Sequence, residues 1–331
     1  MTDLTKEALS SEELNYEAAL ALTAEGIRHL LKSAPLAIRQ MTVHLSGAPG
    51  KMIRAKALLA CALDPEDRIS PDAVKAAASV ELVHLATLVH DDVIDQADKR
   101  RGIKALHQKF GQKYAVLCGD WLLCAALELV SAIEPRENSR EEVSRIFPRY
   151  MTEVCLGEVR QNQNMHNYRL SERQYYQTIR GKTAALFEAC FHAGHLFSGE
   201  SQMFKDIYTE IGNNIGLIFQ LADDCADYES TRKETKKPVL SDCSSGVITL
   251  PLIYALKKDS GLKEKIEEGM DPARLKEAVS VAGGLDYTHA KIDRLHQSTL
   301  RLIKVLDIST AKSALLGQLL DRAAGRLPVG E

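Results

Sequence analysis

Two segments far apart in the chain carry the same pattern of three aspartates, D-D-x-x-D. The six aspartates are Asp91, Asp92, Asp95, Asp223, Asp224 and Asp227. At about 100° per residue, positions i, i+1 and i+4 of a helix fall within an arc of roughly 100°. Carboxylates held so close repel one another and resist ionising together unless a cation neutralises them. Because Mg²⁺ prefers carboxylate, water and phosphate oxygens, the two segments predict a Mg²⁺ site that binds a phosphorylated ligand.

Both acidic segments follow strongly apolar stretches of chain. LATLV comes shortly before the first segment, and GLIFQLA directly precedes the second. A solvated acidic helix face is the simpler interpretation of a single pair of aspartates. Unpaired carboxylates are costly to bury among Leu, Ile and Val, however, and here the same spacing occurs twice. The pattern therefore favours two walls of one cavity.

A cavity that binds Mg²⁺ and phosphate also needs positively charged side chains. Arg suits two-point contact with phosphate oxygens, and Lys suits a single point charge. Each basic residue alone is more simply a surface charge, and only its association with the aspartates makes it a candidate. The candidates are Lys51, Arg54, Arg100, Arg101, Lys182 and Lys237. On the apolar helix before Asp91, His84 is either a satisfied buried histidine or a polar contact to the ligand.

Other common sites are excluded by the sequence. Gly181-Lys182-Thr183 looks like the end of a P-loop, but that motif needs a preceding strand and a glycine where the chain has Tyr176. No Ser-His-Asp or Cys-His arrangement is visible, so covalent catalysis has no support. The seven cysteines form no CxxC pair and are odd in number, so neither a zinc site nor a disulfide framework is expected.

Charge and hydropathy bound the class of protein. The 331 residues include 42 Lys+Arg and 45 Asp+Glu, a formal charge of −3, which argues against nucleic acid as a partner. The N-terminal segment is acidic and polar and does not predict a signal peptide. The most apolar stretch, 115–133, contains Asp120 and Glu128, so no transmembrane span is expected. These features together predict a cytoplasmic protein with reduced thiols.

The elements that hold the candidate residues are predicted to be helices. The composition favours an all-α fold, because the sequence is rich in good helix formers and has only 20 Gly, 10 Pro and 5% aromatic residues. Periodicity predicts helices at 13–32, 52–63, 72–90, 113–133, 139–167, 171–197, 203–228, 247–258, 271–282, 286–305 and 309–325. Ser70 before Pro71 predicts a helix start. With no run of strands, repeat or long linker, residues 1–331 are predicted to form one domain.

Several motifs, in order along the chain, resemble those of the all-trans polyprenyl diphosphate synthases. They are ELVHLATLVHDDVIDQADKRRG (81–102), Gly119-Asp120, EVCLGEVRQ (153–161), Lys182-Thr183, GLIFQLADDCADY (216–228) and KPVLSDCSSGVITLP (237–251). The resemblance spans about residues 47–255, leaving helices in 256–325, and is nearest to catalytic subunits of bacterial heptaprenyl diphosphate synthases. It implies the all-α prenyl-synthase fold with a central cavity, and Mg²⁺-dependent condensation of isopentenyl diphosphate onto an allylic diphosphate such as farnesyl diphosphate.

The resemblance also implies a role for each candidate residue. All six aspartates would hold a Mg²⁺ cluster on the allylic diphosphate, with Asp91, Asp95 and Asp223 the favoured direct ligands. The residues for the allylic diphosphate would be Arg100, Lys182 and Lys237. The residues for isopentenyl diphosphate would be Lys51, Arg54, His84 and Arg101. The residues that line the reacting centre would be Thr183 and Gln220.

Product length is predicted from the helix that precedes the first aspartate segment. Ala86 and Thr87 lie a turn deeper than Asp91 and are small, whereas short-chain members of the family tend to have an aromatic residue there. The resemblance therefore implies a hexaprenyl to octaprenyl product, with heptaprenyl diphosphate favoured, for menaquinone side chains. A geranylgeranyl or farnesyl diphosphate synthase is the alternative.

Three positions depart from the family pattern. Met52 stands where the motif G-G-K-R has Arg, Leu240 where Gly is usual, and Val247 where Lys is common. Lost positive charge would weaken diphosphate binding, so the chain alone is expected to be weakly active or inactive. The resemblance implies a dimer, of two copies or with a small non-catalytic subunit, and product release at a membrane surface. Helices 113–133 and 139–167 could supply the dimer face or belong to the core.

Three rival functions are open to the same residues. A non-catalytic regulatory subunit of this family would be expected to have lost aspartates, whereas this chain keeps all six. A helical metal-binding scaffold would not need the paired basic motifs. A terpene cyclase also ionises allylic diphosphates, but it has no use for a second basic set at Lys51, Arg54 and Arg101.

Overall fold

The computed structural model describes residues 14–133, 142–229, 243 and 245–327. Within these ranges the chain is almost entirely helical. The α-helices are α1 (Tyr16–Lys32), α2 (Leu36–Ser46), α3 (Ile53–Ala62), α4 (Pro71–Ile94), α5 (Leu106–Phe110), α6 (Gln112–Ser131), α7 (Val143–Gln163), α8 (Glu172–Ile179), α9 (Ala185–Ser198), α10 (Lys205–Glu229), α11 (Leu250–Lys258), α12 (Leu262–Glu267), α13 (Pro272–Val281), α14 (Gly284–Val305) and α15 (Thr310–Ala323). The remaining elements are a hairpin of β1 (Lys99–Arg100) and β2 (Ile103–Lys104), a π-helical turn (Arg180–Ala184) and a 3₁₀ turn (Gln202–Phe204).

Helix α4 is a long core helix that ends at the first aspartate segment. It starts as predicted, because the Ser70 side chain accepts a hydrogen bond from the backbone of Ala73 and Pro71 occupies the first turn. Its residues are mostly apolar and pack against α1, α3, α6 and α9. The helix therefore carries the aspartates from the core to its own C-terminal end.

Helix α10 does the same for the second aspartate segment. Its 25 residues end at Glu229, just beyond Asp227. Helix α9 is buried along nearly its whole length and packs against α3, α4 and α10. Helix α9 therefore packs against both aspartate-bearing helices.

The π-helical turn interrupts the helix that periodicity predicts at 171–197. Two glycines allow it to press backbone to backbone against α7. A Cβ on Gly157 would overlap the backbone nitrogen of Lys182, and a Cβ on Gly181 would lie 2.7 Å from the carbonyl oxygen of Glu153. Such inserted turns occur often at functional sites, and this one carries Lys182 and Thr183.

Four short elements differ from the sequence prediction. Helices α2, α5 and α12 were not predicted, and the predicted absence of strands is wrong for the hairpin at 99–104. The hairpin turns at Arg101 (φ 50°) and Gly102 (φ 83°), the two consecutive left-handed residues that a tight two-residue turn requires. This turn brings Arg100 and Arg101 back toward α4. The all-α class is otherwise confirmed.

Helix α6 packs along α4 and leaves an apolar face exposed. The exposed apolar residues of α6 and α7 are Tyr114, Val116, Leu117, Leu127, Leu156 and Val159. By length and composition alone, α4 and α6 could each cross a membrane. Contrary to the expectation from the sequence, Asp120 and Glu128 do not rule out a membrane span in α6 on these criteria. Much of α4 is buried inside the protein, as in a soluble core helix. No disulfide joins the cysteines within the described part of the chain.

Candidate active site

The first aspartate segment divides its side chains between two directions. Asp92 is buried, and its Oδ1 accepts a 2.8 Å hydrogen bond from Nε of Arg100 on the hairpin and forms an ion pair with Nη2 of the same residue at 2.6 Å. Asp91 and Asp95 instead face Lys182 and Glu158, whose charges act on both carboxyls. Asp92 is thus an anchor for Arg100. Asp91 and Asp95 instead lie on the side of α4 that faces Lys182 and Glu158.

Burial sets the protonation of the first segment. It raises the pKa of Asp91 to about 7, with the Glu158 and Asp95 carboxylates adding to the rise and the Lys182 ammonium opposing it. The pKa of Asp95 is raised for the same reasons. A carboxyl with so elevated a pKa lacks sufficient positive charge around it. The donor set therefore fits a divalent cation, which would supply that charge.

The second aspartate segment is held by neutral donors. Asp224 is buried and accepts hydrogen bonds from the Tyr175 hydroxyl and from Nε2 of Gln220, the latter at 2.8 Å. Gln220 in turn accepts a 2.6 Å hydrogen bond from the Thr183 hydroxyl. Asp223 is exposed and Asp227 is partly exposed. This network joins α8, the π-helical turn and α10.

Lys182 connects the two aspartate-bearing helices to α7. Its Nζ lies 2.7 Å from Oε2 of Glu158, and both side chains are largely sheltered, at 25% and 16% exposure. Sequence reasoning missed both Glu158 and Tyr175 as site residues. Glu158 lies within the quoted motif EVCLGEVRQ, which was a signal for it, whereas nothing in the sequence pairs Tyr175 with Asp224.

A second group of basic residues lies around His84 of α4. The Nε of Arg54 is buried without a hydrogen-bond partner in the part of the chain that the structure describes, and its guanidinium carbon lies 4.9 Å from the centre of the Phe187 ring. Burial lowers the pKa of Arg54, opposed by the Glu81 carboxylate. Burial, together with Arg54 and Arg101, holds the pKa of His84 well below its usual value. His84 is therefore a neutral imidazole at pH 7.

Two of these residues, His84 and Arg101, line a pocket between α1, α2 and α4. Its lining includes Gly50, Met52, Glu81, His84 and Arg101. The Arg101 guanidinium packs on Gly50, where a Cβ would lie 2.8 Å from Nη1, and it donates a 3.3 Å hydrogen bond to the Ala48 carbonyl. Glu81, another residue that the sequence did not single out, accepts a 2.9 Å hydrogen bond from the Ala55 backbone. The pocket combines positive charge with an apolar wall, as a diphosphate ester requires.

Lys51 and Met52 form the loop at this pocket. Lys51 is exposed, and Met52 adopts a left-handed conformation (φ 53°) at the residue before α3. Ala86 is fully buried within α4, and the Thr87 hydroxyl donates to the His84 carbonyl at 2.9 Å. Whether a chain-length tunnel passes Ala86 and Thr87 stays a prediction.

Some sequence predictions lie outside the described residues. These are the positions of Lys237 and Leu240. Among the residues that the structure does describe, no three His, Cys, Asp or Glu side chains converge closely enough to form a ready-made metal cage.

Comparison with known proteins is consistent across sequence and structure. Residues 35–282 match the family model described as polyprenyl synthetase. Heptaprenyl diphosphate synthase component 2 of Bacillus subtilis is 31% identical over 283 residues, which cover 82% of this chain and 78% of that protein. A relative named for another product length, nonaprenyl diphosphate synthase of Mycobacterium tuberculosis, is 33% identical over 250 residues, 74% of this chain and 69% of that protein.

Two solved structures share the fold. The crystal structure of heptaprenyl diphosphate synthase from Staphylococcus aureus superposes with a TM-score of 0.85 at 30% identity, covering 95% of this chain and 99% of that one. A polyprenyl synthase from Caulobacter crescentus, complexed with calcium and isoprenyl diphosphate, superposes with a TM-score of 0.83 at 30% identity, covering 94% and 95%. The predicted prenyl-synthase fold is confirmed.

Proposed function

The chain belongs to the polyprenyl synthetase family and is a prenyltransferase, and from that premise we propose that it is an all-trans polyprenyl diphosphate synthase. It adds isopentenyl diphosphate repeatedly to an allylic diphosphate, with farnesyl diphosphate the favoured primer. The observation that carries this proposal is the presence of two groups of basic side chains, each of which could bind a diphosphate. One lies at the aspartate ends of α4 and α10 and includes Lys182, and the other comprises Arg54, His84 and Arg101.

The allylic diphosphate binds between the ends of α4 and α10. Asp91, Asp95 and Asp223 are the residues that would hold Mg²⁺, and the metal supplies positive charge that stabilises the departing diphosphate. Lys182 adds a further positive charge on the same side, and Arg100 keeps Asp92 in place. The allylic carbon–oxygen bond can then ionise, because the leaving group is stabilised.

The second substrate binds at the basic pocket. Arg54 and Arg101 neutralise the diphosphate of isopentenyl diphosphate, and neutral His84 donates a hydrogen bond to it. The double bond attacks the allylic cation, and the proton lost from isopentenyl carbon passes to the departed diphosphate. The apolar walls from α4 and α9 exclude the water that would quench the cation. Thr183 and Gln220, hydrogen-bonded to each other, lie beside the reacting centre.

A heptaprenyl product is the favoured chain length. The fully buried small residue Ala86 supports a growing chain that runs beside α4, and a similar protein is named for the heptaprenyl product. A shorter geranylgeranyl or farnesyl product is the second candidate. Ala86→Phe is expected to shorten the product on thin-layer chromatography, with Ala78→Phe near the far end of the same helix as a control for helix disruption. An unchanged product distribution would contradict this path for the chain.

The proposed assembly is a dimer. The exposed apolar face of α6 and α7, which includes Tyr114 and Leu117, supports this, since so much apolar surface is unusual on a monomer. The partner is a second copy or a small non-catalytic subunit, as the name component 2 of a relative implies for that relative. We place the enzyme in the cytoplasm as one domain, releasing its apolar product at the membrane for menaquinone synthesis.

The test of this function is a condensation assay. Purified protein is incubated with labelled isopentenyl diphosphate, farnesyl diphosphate and Mg²⁺, with and without a candidate small subunit. Labelled polyprenyl diphosphate is expected, and Asp92→Ala and Asp223→Ala should each abolish it. Full activity in both variants would refute the role of the aspartate segments. Absence of product under every condition would favour a non-catalytic subunit.

A further inference from the structure

Lys182 forms an ion pair with a residue outside the two aspartate segments, Glu158. Its Nζ lies 2.7 Å from Oε2 of Glu158 on α7, and neither side chain is more than 25% exposed. Ion pairs on open surface contribute little, because both partners remain solvated. This pair is sheltered, so its geometry constrains where the lysine charge can lie.

The backbone around the pair leaves little freedom to change partners. Gly157, directly before Glu158, packs against the backbone of Gly181 and Lys182 so closely that no Cβ fits. The π-helical turn fixes Lys182 relative to α9. Helix α7, which carries Glu158, and the π-helical turn, which carries Lys182, are therefore held at a fixed separation.

The Lys182–Glu158 ion pair lies close enough to Asp91 and Asp95 to affect both carboxyls. Lys182 is the strongest positive influence on Asp91 and on Asp95, and Glu158 is a negative influence on both. Asp92 is already paired with Arg100. Without the Glu158 carboxylate, Lys182 would have only Asp91 and Asp95 nearby as anionic partners among these groups, and its ammonium would compete with a metal ion for them.

We propose that Glu158 is a positioning residue that holds Lys182 away from Asp91 and Asp95, so that their oxygens stay open to a divalent cation. This rests on the proposed function, in which those aspartates bind the metal. Glu158 acts through Lys182 and does not itself bind the metal.

The test measures binding of Mn²⁺ alone to the purified protein, by the loss of the electron paramagnetic resonance signal of the free ion. Glu158→Gln is expected to weaken Mn²⁺ binding about fivefold, in line with a partly sheltered ion pair. Glu153→Gln, on the same helix and exposed, is the matched control and should leave binding unchanged. Equal binding by Glu158→Gln and the unchanged protein would overturn the inference, as would a failure of the unchanged protein to bind Mn²⁺.

A double variant separates positioning from direct ligation. In a Lys182→Met background, Glu158→Gln should lose most of its effect on Mn²⁺ affinity, because there is no lysine left to hold. An undiminished effect would mean that Glu158 contacts the metal itself and would overturn the positioning role. Mn²⁺ binding in a protein that forms no polyprenyl product would leave this inference standing and would remove the proposed function instead.

Discussion

The two aspartate segments have the same spacing and divide their side chains in the same way, yet they are held by different chemistry. In each, the middle aspartate is buried and serves as an anchor, Asp92 in the first and Asp224 in the second. Asp92 is tied to a charged guanidinium, whereas Asp224 is tied to a tyrosine hydroxyl and an amide. The same D-D-x-x-D spacing thus buries the middle aspartate in both segments, but the hydrogen-bond donors to that aspartate differ.

The difference follows from what each segment must organise. Asp92 ties Arg100 of the hairpin to the end of α4, and the adjacent residue of that hairpin is Arg101 of the second pocket. Asp224 joins a network inside the helical core, where it accepts hydrogen bonds from the Tyr175 hydroxyl and the Gln220 amide. The first segment therefore links the two groups of basic side chains, and the second links α8 to α10.

The largest effect is expected from a change that disturbs both segments at once. Gly157→Ala would force α7 away from the π-helical turn, which supplies Lys182 to the first segment and Thr183 to the second. We expect a loss of about 3 kcal/mol of unfolding free energy, in the range of an overpacked core, and a fall in condensation rate of more than about 100-fold. Urea denaturation measures the change in unfolding free energy, and steady-state kinetics measure the change in condensation rate.

The control for this variant is Gly26→Ala on α1, where nothing lies within 4 Å of a new Cβ. Its stability should stay the same or rise, since alanine is the better helix former. If Gly157→Ala behaved like Gly26→Ala, the close packing of the turn against α7 would be wrong.

The comparison between the anchors predicts unequal costs for the same substitution. Asp92→Asn leaves the Arg100 charge without its carboxylate and is expected to cost about 3 kcal/mol of unfolding free energy. Asp224→Asn keeps an acceptor oxygen for a neutral donor and should cost about 1 kcal/mol. Urea denaturation of both variants at pH 7 tests this. Equal losses would show that the two anchors do not differ electrostatically.

The pH dependence of the metal-free protein should report the first segment. Because the folded chain holds the Asp91 proton up to a pKa of about 7, whereas an unfolded carboxyl releases it near its ordinary value of 3.8, this group's contribution to stability falls as pH rises from about 4 to about 7. Asp91→Asn removes that dependence. We expect the melting temperature, followed by circular dichroism in EDTA, to fall about 3 °C less in the variant than in the unchanged protein as the pH rises from about 4 to about 7. Superimposable pH profiles would contradict the raised pKa.

The smallest effect is expected at the tyrosine that anchors the second segment. Tyr175→Phe removes a neutral donor to Asp224 and should lower stability by about 1 kcal/mol and condensation rate severalfold. Tyr176→Phe is the matched control, since that ring contacts Tyr175 edge-on without bonding the aspartate. Indistinguishable behaviour of the two variants would remove Tyr175 from the network.

The main helices and the aspartate segments were predictable because both depend on local pattern. Apolar periodicity located α4 and α10, and the D-D-x-x-D spacing located their functional ends. The partners were not predictable: Tyr175 and Asp224 are 49 positions apart, and no spacing rule joins them. Periodicity also cannot distinguish a π-helical turn from an α-helical one, because both keep an apolar face toward the core. The hairpin was missed because its strands are only two residues long.

The central claim is that the aspartate ends of α4 and α10 bind an allylic diphosphate through a divalent cation. Calorimetric titration with farnesyl thiolodiphosphate, a non-reacting analogue, tests it directly in Mg²⁺ and in EDTA. The account predicts affinity at least about tenfold higher in Mg²⁺, since the carboxylates repel the diphosphate without it, and loss of that gain in Asp91→Ala. Equal affinity in Mg²⁺ and in EDTA would contradict the account.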